Sequence, residues 1–153
     1  MSRESREGTS QRNVEALQWL YDQFSRGNFW AGRDVFDPEI EWEWSASMMD
    51  VVGGQRTTYR GLEGVESATR DWLETWDWFW TEAEELIPAG DRVVALVRRH
   101  GRAKGSTFDI ETTAADIWTM RDGKAIRYKA FDDRSEALEA VGLSEQDAST
   151  SQT

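Results

Sequence analysis

Phe108–Asp132 reads FDIETTAADIWTMRDGKAIRYKAFD. Its middle pair, Asp122-Gly123, is a hairpin signal, because a two-residue turn between strands needs residues that tolerate positive φ. Before the turn, apolar and polar residues alternate with the period of a strand. Phe108, Ile110, Thr112, Ala114, Asp116, Trp118 and Met120 share one face; Asp109, Glu111, Thr113, Ala115, Ile117, Thr119 and Arg121 share the other. After the turn, Lys124 to Asp132 returns as the last strand, with Ile126, Tyr128 and Ala130 on one side. Upstream, Gly90-Asp91 marks another turn, and Arg92 to Arg102 is a strand. There Val94, Leu96, Arg98 and His100 share the face expected to point inward, opposite Val93, Ala95, Val97 and Arg99. Trp78 to Pro88 leads into that strand, and a helix over about Ser135 to Ala140, stopped by Gly142, closes the chain.

The N-terminal half has a different rhythm. Val14, Leu17, Leu20, Tyr21 and Phe24 recur at spacings of three and four, which predicts a helix from about Asn13, its cap, to Arg26, before Gly27. A short second helix over about Phe29 to Phe36 must end before Asp37-Pro38. Ile40-Glu41-Trp42-Glu43-Trp44 alternates strictly, so it is a strand with Ile40, Trp42 and Trp44 on one face. Residues 46–60 carry little pattern and are expected to be a loop. Leu62 to about Trp76 is a third helix whose stripe is Val65, Ala68, Trp72, Leu73 and Trp76. Helices followed by a run of antiparallel strands make an α+β fold. The expected organisation is one domain over 12–143 between disordered tails at 1–11 and 144–153.

Composition narrows the function. With nine Trp and six Phe among 153 residues, the chain can build a real core. A net charge of −11 disfavours nucleic acid and anionic membranes as partners. No apolar run approaches the roughly 20 residues of a membrane helix, and the N-terminus lacks the apolar core of a signal peptide, so a cytoplasmic location is expected. The absence of Cys excludes disulfides, thiolate metal sites and Cys nucleophiles. The single His cannot hold a transition metal by itself, and there is no phosphate loop; neither metal nor cofactor is implied.

Asp116 is one carboxylate in a mostly apolar row. If that row lines a cavity, a protonated Asp116 can donate to a developing oxyanion and an ionised one can take a proton; the bland alternative is a bond to a neighbouring side chain. His100 could act as base, with Arg98 beside it at the cavity mouth, or be an exposed strand-end residue. Tyr128 wants a partner for its hydroxyl, and Asp116 on the adjacent strand is available. Tyr21 is a further candidate. Trp42, Trp44, Trp72, Trp76 and Trp118 all fall on inward faces, where they either line a flat aromatic pocket or fill the core.

Several segments resemble the SnoaL-like branch of the nuclear-transport-factor-two-like superfamily, which includes ketosteroid isomerases and polyketide cyclases. They are Tyr59 to Val65, Glu84 to Val93, Arg121 to Lys124, and Asp133 to Leu143. The resemblance implies a conical α+β barrel, a curved antiparallel sheet wrapped around a long helix with a cavity at its open end, and a homodimer through the outer sheet face. It also places Asp116 where ketosteroid isomerases carry an oxyanion-hole Asp. Other positions depart from the family's enzymes. Trp44 stands at the isomerases' base, Leu20 near their catalytic Tyr, and Ala130 at the last-strand Asp of cyclases and epoxide hydrolases. Arg98 with His100 is the nearest match to the hydrolases' Arg and Asp, and Asp132 and Asp133 are read as caps of the last helix. Three functions stay open: proton-transfer chemistry at Asp116 with His100 or Tyr128, non-catalytic binding of a small apolar or aromatic molecule, and a dimeric interaction module with a filled cavity.

Overall fold

The computed structural model describes residues 3–52 and 58–144. Helix α1 (Arg3–Ser25) starts ten residues before the expected Asn13 cap. Asn13 is instead buried inside the helix, and the segment expected as a tail is helical from Arg3. Only the apolar stripe was visible in sequence; the polar first turns carry none. The helix does end as expected: Gly27, at φ +82°, donates to Phe24 O and lets Asn28 donate to Gln23 O, a left-handed cap. A 3-10 helix (Phe29–Asp34) follows, then β1 (Phe36–Glu43).

The expected loop over 46–60 holds two elements, α2 (Ala46–Val52) and β2 (Thr58–Arg60), with residues 53–57 outside the described set. Neither is long enough to show a period. Next come α3 (Gly61–Glu74), β3 (Trp76–Ala89), β4 (Arg92–Ala103), β5 (Ile110–Arg121), β6 (Lys124–Phe131) and α4 (Arg134–Ala140). Asp122 and Gly123 sit at φ 52° and 79°, as a tight hairpin between β5 and β6 requires.

The strands form one curved six-stranded sheet in the order β2-β1-β6-β5-β4-β3. All pairings are antiparallel except β1 with β6, which join the two halves of the chain in parallel. Against the inner face, α1 packs on β3 and α3 on β1. The main core lies between them, built from Leu17, Leu20, Ile40, Ala68, Val93, Val97 and Trp118 among others. A second cluster lies on the outer face, where Ala137 and Leu138 of α4 cover Val94, Leu96, Ala115 and Ile117.

That outer cluster corrects the phase expected for β4. Val93, Ala95, Val97 and Arg99 point inward; Val94, Leu96, Arg98 and His100 point outward. Both rows are apolar at their centre because α4 gives the outer row its own cover, so alternation alone did not choose between them. The register does choose. Ala95 faces Asp116, Val97 faces Ala114 and Arg99 faces Thr112, and directly paired residues share a face.

Candidate functional site

The site grows out of the inward rows of β4, β5 and β6. Asp116, 3 % exposed, stands beside Tyr128 of β6, Arg99 of β4 and Tyr21 of α1. The Tyr21 hydroxyl donates to Asp116 Oδ2 at 2.6 Å. The Tyr128 hydroxyl and Arg99 Nη2 both donate to Oδ1, at 2.8 and 2.9 Å. Behind them, Trp118 Nε1 donates to the Tyr21 oxygen at 2.8 Å. A carboxylate offers about four acceptor positions, and three are taken. Every neighbour is a donor, and a guanidinium is always charged, so Asp116 sits here as the carboxylate of a buried ion pair. Such a pair is costly to break from one side.

Its partners respond electrostatically. Burial, reinforced by the Asp116 charge, pushes both Tyr21 and Tyr128 well above the usual phenol range. They are hydrogen-bond donors here, not proton sources. Burial by itself would pull the Arg99 guanidinium down; the Asp116 charge, joined by Tyr128, Tyr21 and Asp132, outweighs it and holds Arg99 above its ordinary value.

Above the cluster lies a cavity of about 60 Å³. Tyr21, Trp42, Trp44, Trp72, Arg99, Asp116 and Tyr128 line it, together with Phe24, Phe29, Phe36, Met48, Val65, Thr69, Phe79 and Thr81. The lining holds one carboxylate, one guanidinium and no His. Trp42 stacks on Tyr128 at 3.9 Å between ring centroids and meets Trp44 and Trp118 edge-on. The Trp42 and Trp44 indole N–H groups are buried without a hydrogen-bond partner among the described residues, each an unmet donor worth about 1–3 kcal/mol. The aromatic rings therefore fill most of the interior and leave a small polar-floored space. It can hold several waters, yet it is under half the roughly 150 Å³ of a cavity that takes benzene.

Asp116, Tyr128, Tyr21, Trp42, Trp44 and Trp72 thus meet at one place. Trp76 and Trp118 do not line the cavity: Trp76 packs on Trp72 and Phe79, and Trp118 lies behind the wall with no exposed surface. Arg98 and His100 are corrected to the outer face. There Arg98 bonds Glu84 and Glu111; His100 stacks flat on Trp80 at 3.8 Å and pairs with Glu82. Arg99 was missed, although placing Asp116 inward through the β4–β5 register would have revealed it. Asp133 caps α4 through Ser135 N as expected, but Asp132 does not. Its carboxylate accepts from the Ser45 and Ser47 hydroxyls and from Ser47 N, which ties down the start of α2. Burial would raise the Asp132 carboxyl; those hydroxyl bonds, with the Arg99 charge behind them, hold it below its ordinary value.

Comparison with known proteins agrees with this fold. The model of the SnoaL-like domain matches residues 17–128. TerC, co-crystallised with polyporic acid, superposes with a TM-score of 0.67 at 26% identity, over 85% of this chain and 98% of TerC. An NTF2-like protein of unknown function from Burkholderia pseudomallei gives 0.70 at 19% identity, over 86% of this chain and 98% of that one. A protein with a ketosteroid isomerase-like fold from Catenulispora acidiphila, in complex with trimethylamine, gives 0.60 at 16%, over 88% and 95%. Among curated proteins, none matches this chain in sequence. No helix among the described residues is long and apolar enough to cross a membrane.

Proposed function

The chain belongs to the SnoaL-like domain family, and from that premise we propose that it binds a small, flat, largely apolar molecule in the Trp-lined cavity, with an oxygen of that molecule set against Arg99 and Tyr128. The observation that carries the reading is the Arg99–Asp116–Tyr128–Tyr21 cluster: a hydrogen-bonded polar floor beneath aromatic walls. Pockets of this kind take their affinity from the apolar wall and their orientation from a few polar groups. Of the guanidinium's five N–H donors, the bond to Asp116 uses one. TerC, the relative at 26% identity, was co-crystallised with polyporic acid, so that compound is the first probe.

Proton transfer by Asp116 is the narrower form of the proposal. No other carboxylate or imidazole lines the cavity among the described residues, and both Asp116 oxygens already hold donors. A ligand oxygen would have to draw Tyr128 and Arg99 toward itself, stabilising its own developing charge while freeing an Asp116 lone pair to take a proton. Failure of Asp116→Asn to alter the pH–rate profile of any turnover found would remove this form.

One observation favours a second reading, a filled interior with no ligand: the cavity of about 60 Å³. Calorimetric titration of polyporic acid, and of phenol as a minimal ring with one oxygen, separates the two. The binding reading expects saturable heat that Tyr128→Phe weakens severalfold. No heat from either probe supports the filled interior. The homodimer implied by the family would use the outer sheet face beyond the part that α4 covers; sedimentation velocity reads it directly.

A further inference from the structure

We propose that Met48 sets the size of the molecule the cavity admits, and that Asp132 is the residue that positions it; this rests on the binding reading above. The cavity, at about 60 Å³, is too small for an aromatic ring, so some wall must yield for one to enter. Most of the walls are stiff. Trp42, Arg99, Asp116 and Tyr128 project from strands hydrogen-bonded within the sheet. Phe24 belongs to the long helix α1, and Trp72 to the fourteen-residue helix α3.

Met48 differs. It comes from α2, seven residues long, well below the length at which a helix is stable by itself. Its side chain is buried at 4 % exposure and reaches the cavity. Methionine is unbranched and adapts its shape to what it packs against. Among the described residues, the side-chain hydrogen bonds that hold α2 gather at its start, while Met48 and Met49 pack into the core. Asp132, just past the end of β6, accepts from the Ser45 hydroxyl at 2.7 Å, the Ser47 hydroxyl, and Ser47 N at 3.3 Å. Ser45 Oγ in turn accepts from Met48 N at 3.3 Å. One carboxylate therefore fixes the turn that aims Met48 inward.

The test compares phenol with the two-ring probe 2-naphthol by calorimetry, with exchange rates from NMR line shapes. Met48→Ala removes three heavy atoms from the wall, and Phe24→Leu removes three from the α1 side. The ratio of 2-naphthol to phenol affinity is expected to rise at least tenfold in Met48→Ala. It should stay within threefold of wild type in Met48→Leu and in Phe24→Leu. Asp132→Asn, which keeps an acceptor but loses the charge, is expected to speed 2-naphthol association severalfold, a readout that a purely structural role would not move. An unchanged ratio in Met48→Ala, or an equal rise in Phe24→Leu, would overturn the assignment of Met48. Unchanged association in Asp132→Asn would overturn that of Asp132. Binding of neither probe to wild type or to any variant would overturn the pocket reading itself, and this inference with it.

Discussion

Replacing Asp116 with Asn keeps the shape of the side chain and deletes its charge, so it isolates what that charge does. Asp116 is 3 % exposed and Arg99 is 9 % exposed. The variant leaves a guanidinium buried with no counterion in contact. It also sets an amide N–H₂ against a ring of donors: Arg99 and Tyr128 on one side, and Tyr21, already accepting from Trp118, on the other. Removing one partner of a buried ion pair costs about 3–5 kcal/mol. With a urea m-value of roughly 2 kcal/mol/M for a chain of this size, the unfolding midpoint should fall by about 1.5–2.5 M. Arg99→Met should cost a similar amount by orphaning the carboxylate. The double variant should lose less than the two single losses together, with a coupling of about 1 kcal/mol or more. Urea unfolding followed by tryptophan fluorescence gives all three numbers. A single-variant loss under about 1 kcal/mol, with additive behaviour in the double, would mean that water screens the pair, and the polar floor described above would be wrong.

Other consequences can be measured separately. Tyr21 and Tyr128 are raised in the fold, so the folded state holds their protons more tightly than the unfolded chain does. Their contribution is complete below about pH 10, the ordinary phenol value, and is lost as pH rises through the folded values; absorbance at 295 nm should show both ionising only as the protein unfolds. Asp132 is lowered, so its hold on α2 persists at pH above the ordinary Asp value and fades as pH falls through the depressed one, readable as acid-induced loss of stability that Asp132→Asn lacks. A Cβ added at Gly101 would lie 2.6 Å from the Trp76 ring, so Gly101→Ala should cost about 1–3 kcal/mol and lower the melting temperature by several degrees. His100→Ala and Arg98→Ala, on the outer face, should leave phenol affinity unchanged.

What the sequence made legible was local and periodic. The Asp122-Gly123 hairpin, the β5 face carrying Asp116 and the α1 stripe with Tyr21 follow from spacing, and the structure has them in place. The phase of β4 did not follow, because Val94 and Leu96 are buried by α4 as thoroughly as Val93 and Val97 are by the core. Hence Arg98 and His100 were expected where Arg99 stands. The 46–60 segment was opaque for another reason. The start of helix α2 is bonded by Asp132, 87 positions from Ser45, and no local pattern encodes that bond. Nor could periodicity tell whether the indoles line a space or fill it, since side-chain volumes and rotamers decide that.

The most direct test of the pocket is a phenol titration followed in the indole region of a ¹H–¹⁵N correlation spectrum, where Trp42 and Trp44 report from the wall and the exposed Trp19 and Trp30 serve as controls. Saturable movement of the Trp42 and Trp44 N–H signals, with Trp19 and Trp30 still, is the result expected. Signals that stay fixed at the wall, or that move only at the exposed tryptophans, would contradict a binding site above Asp116.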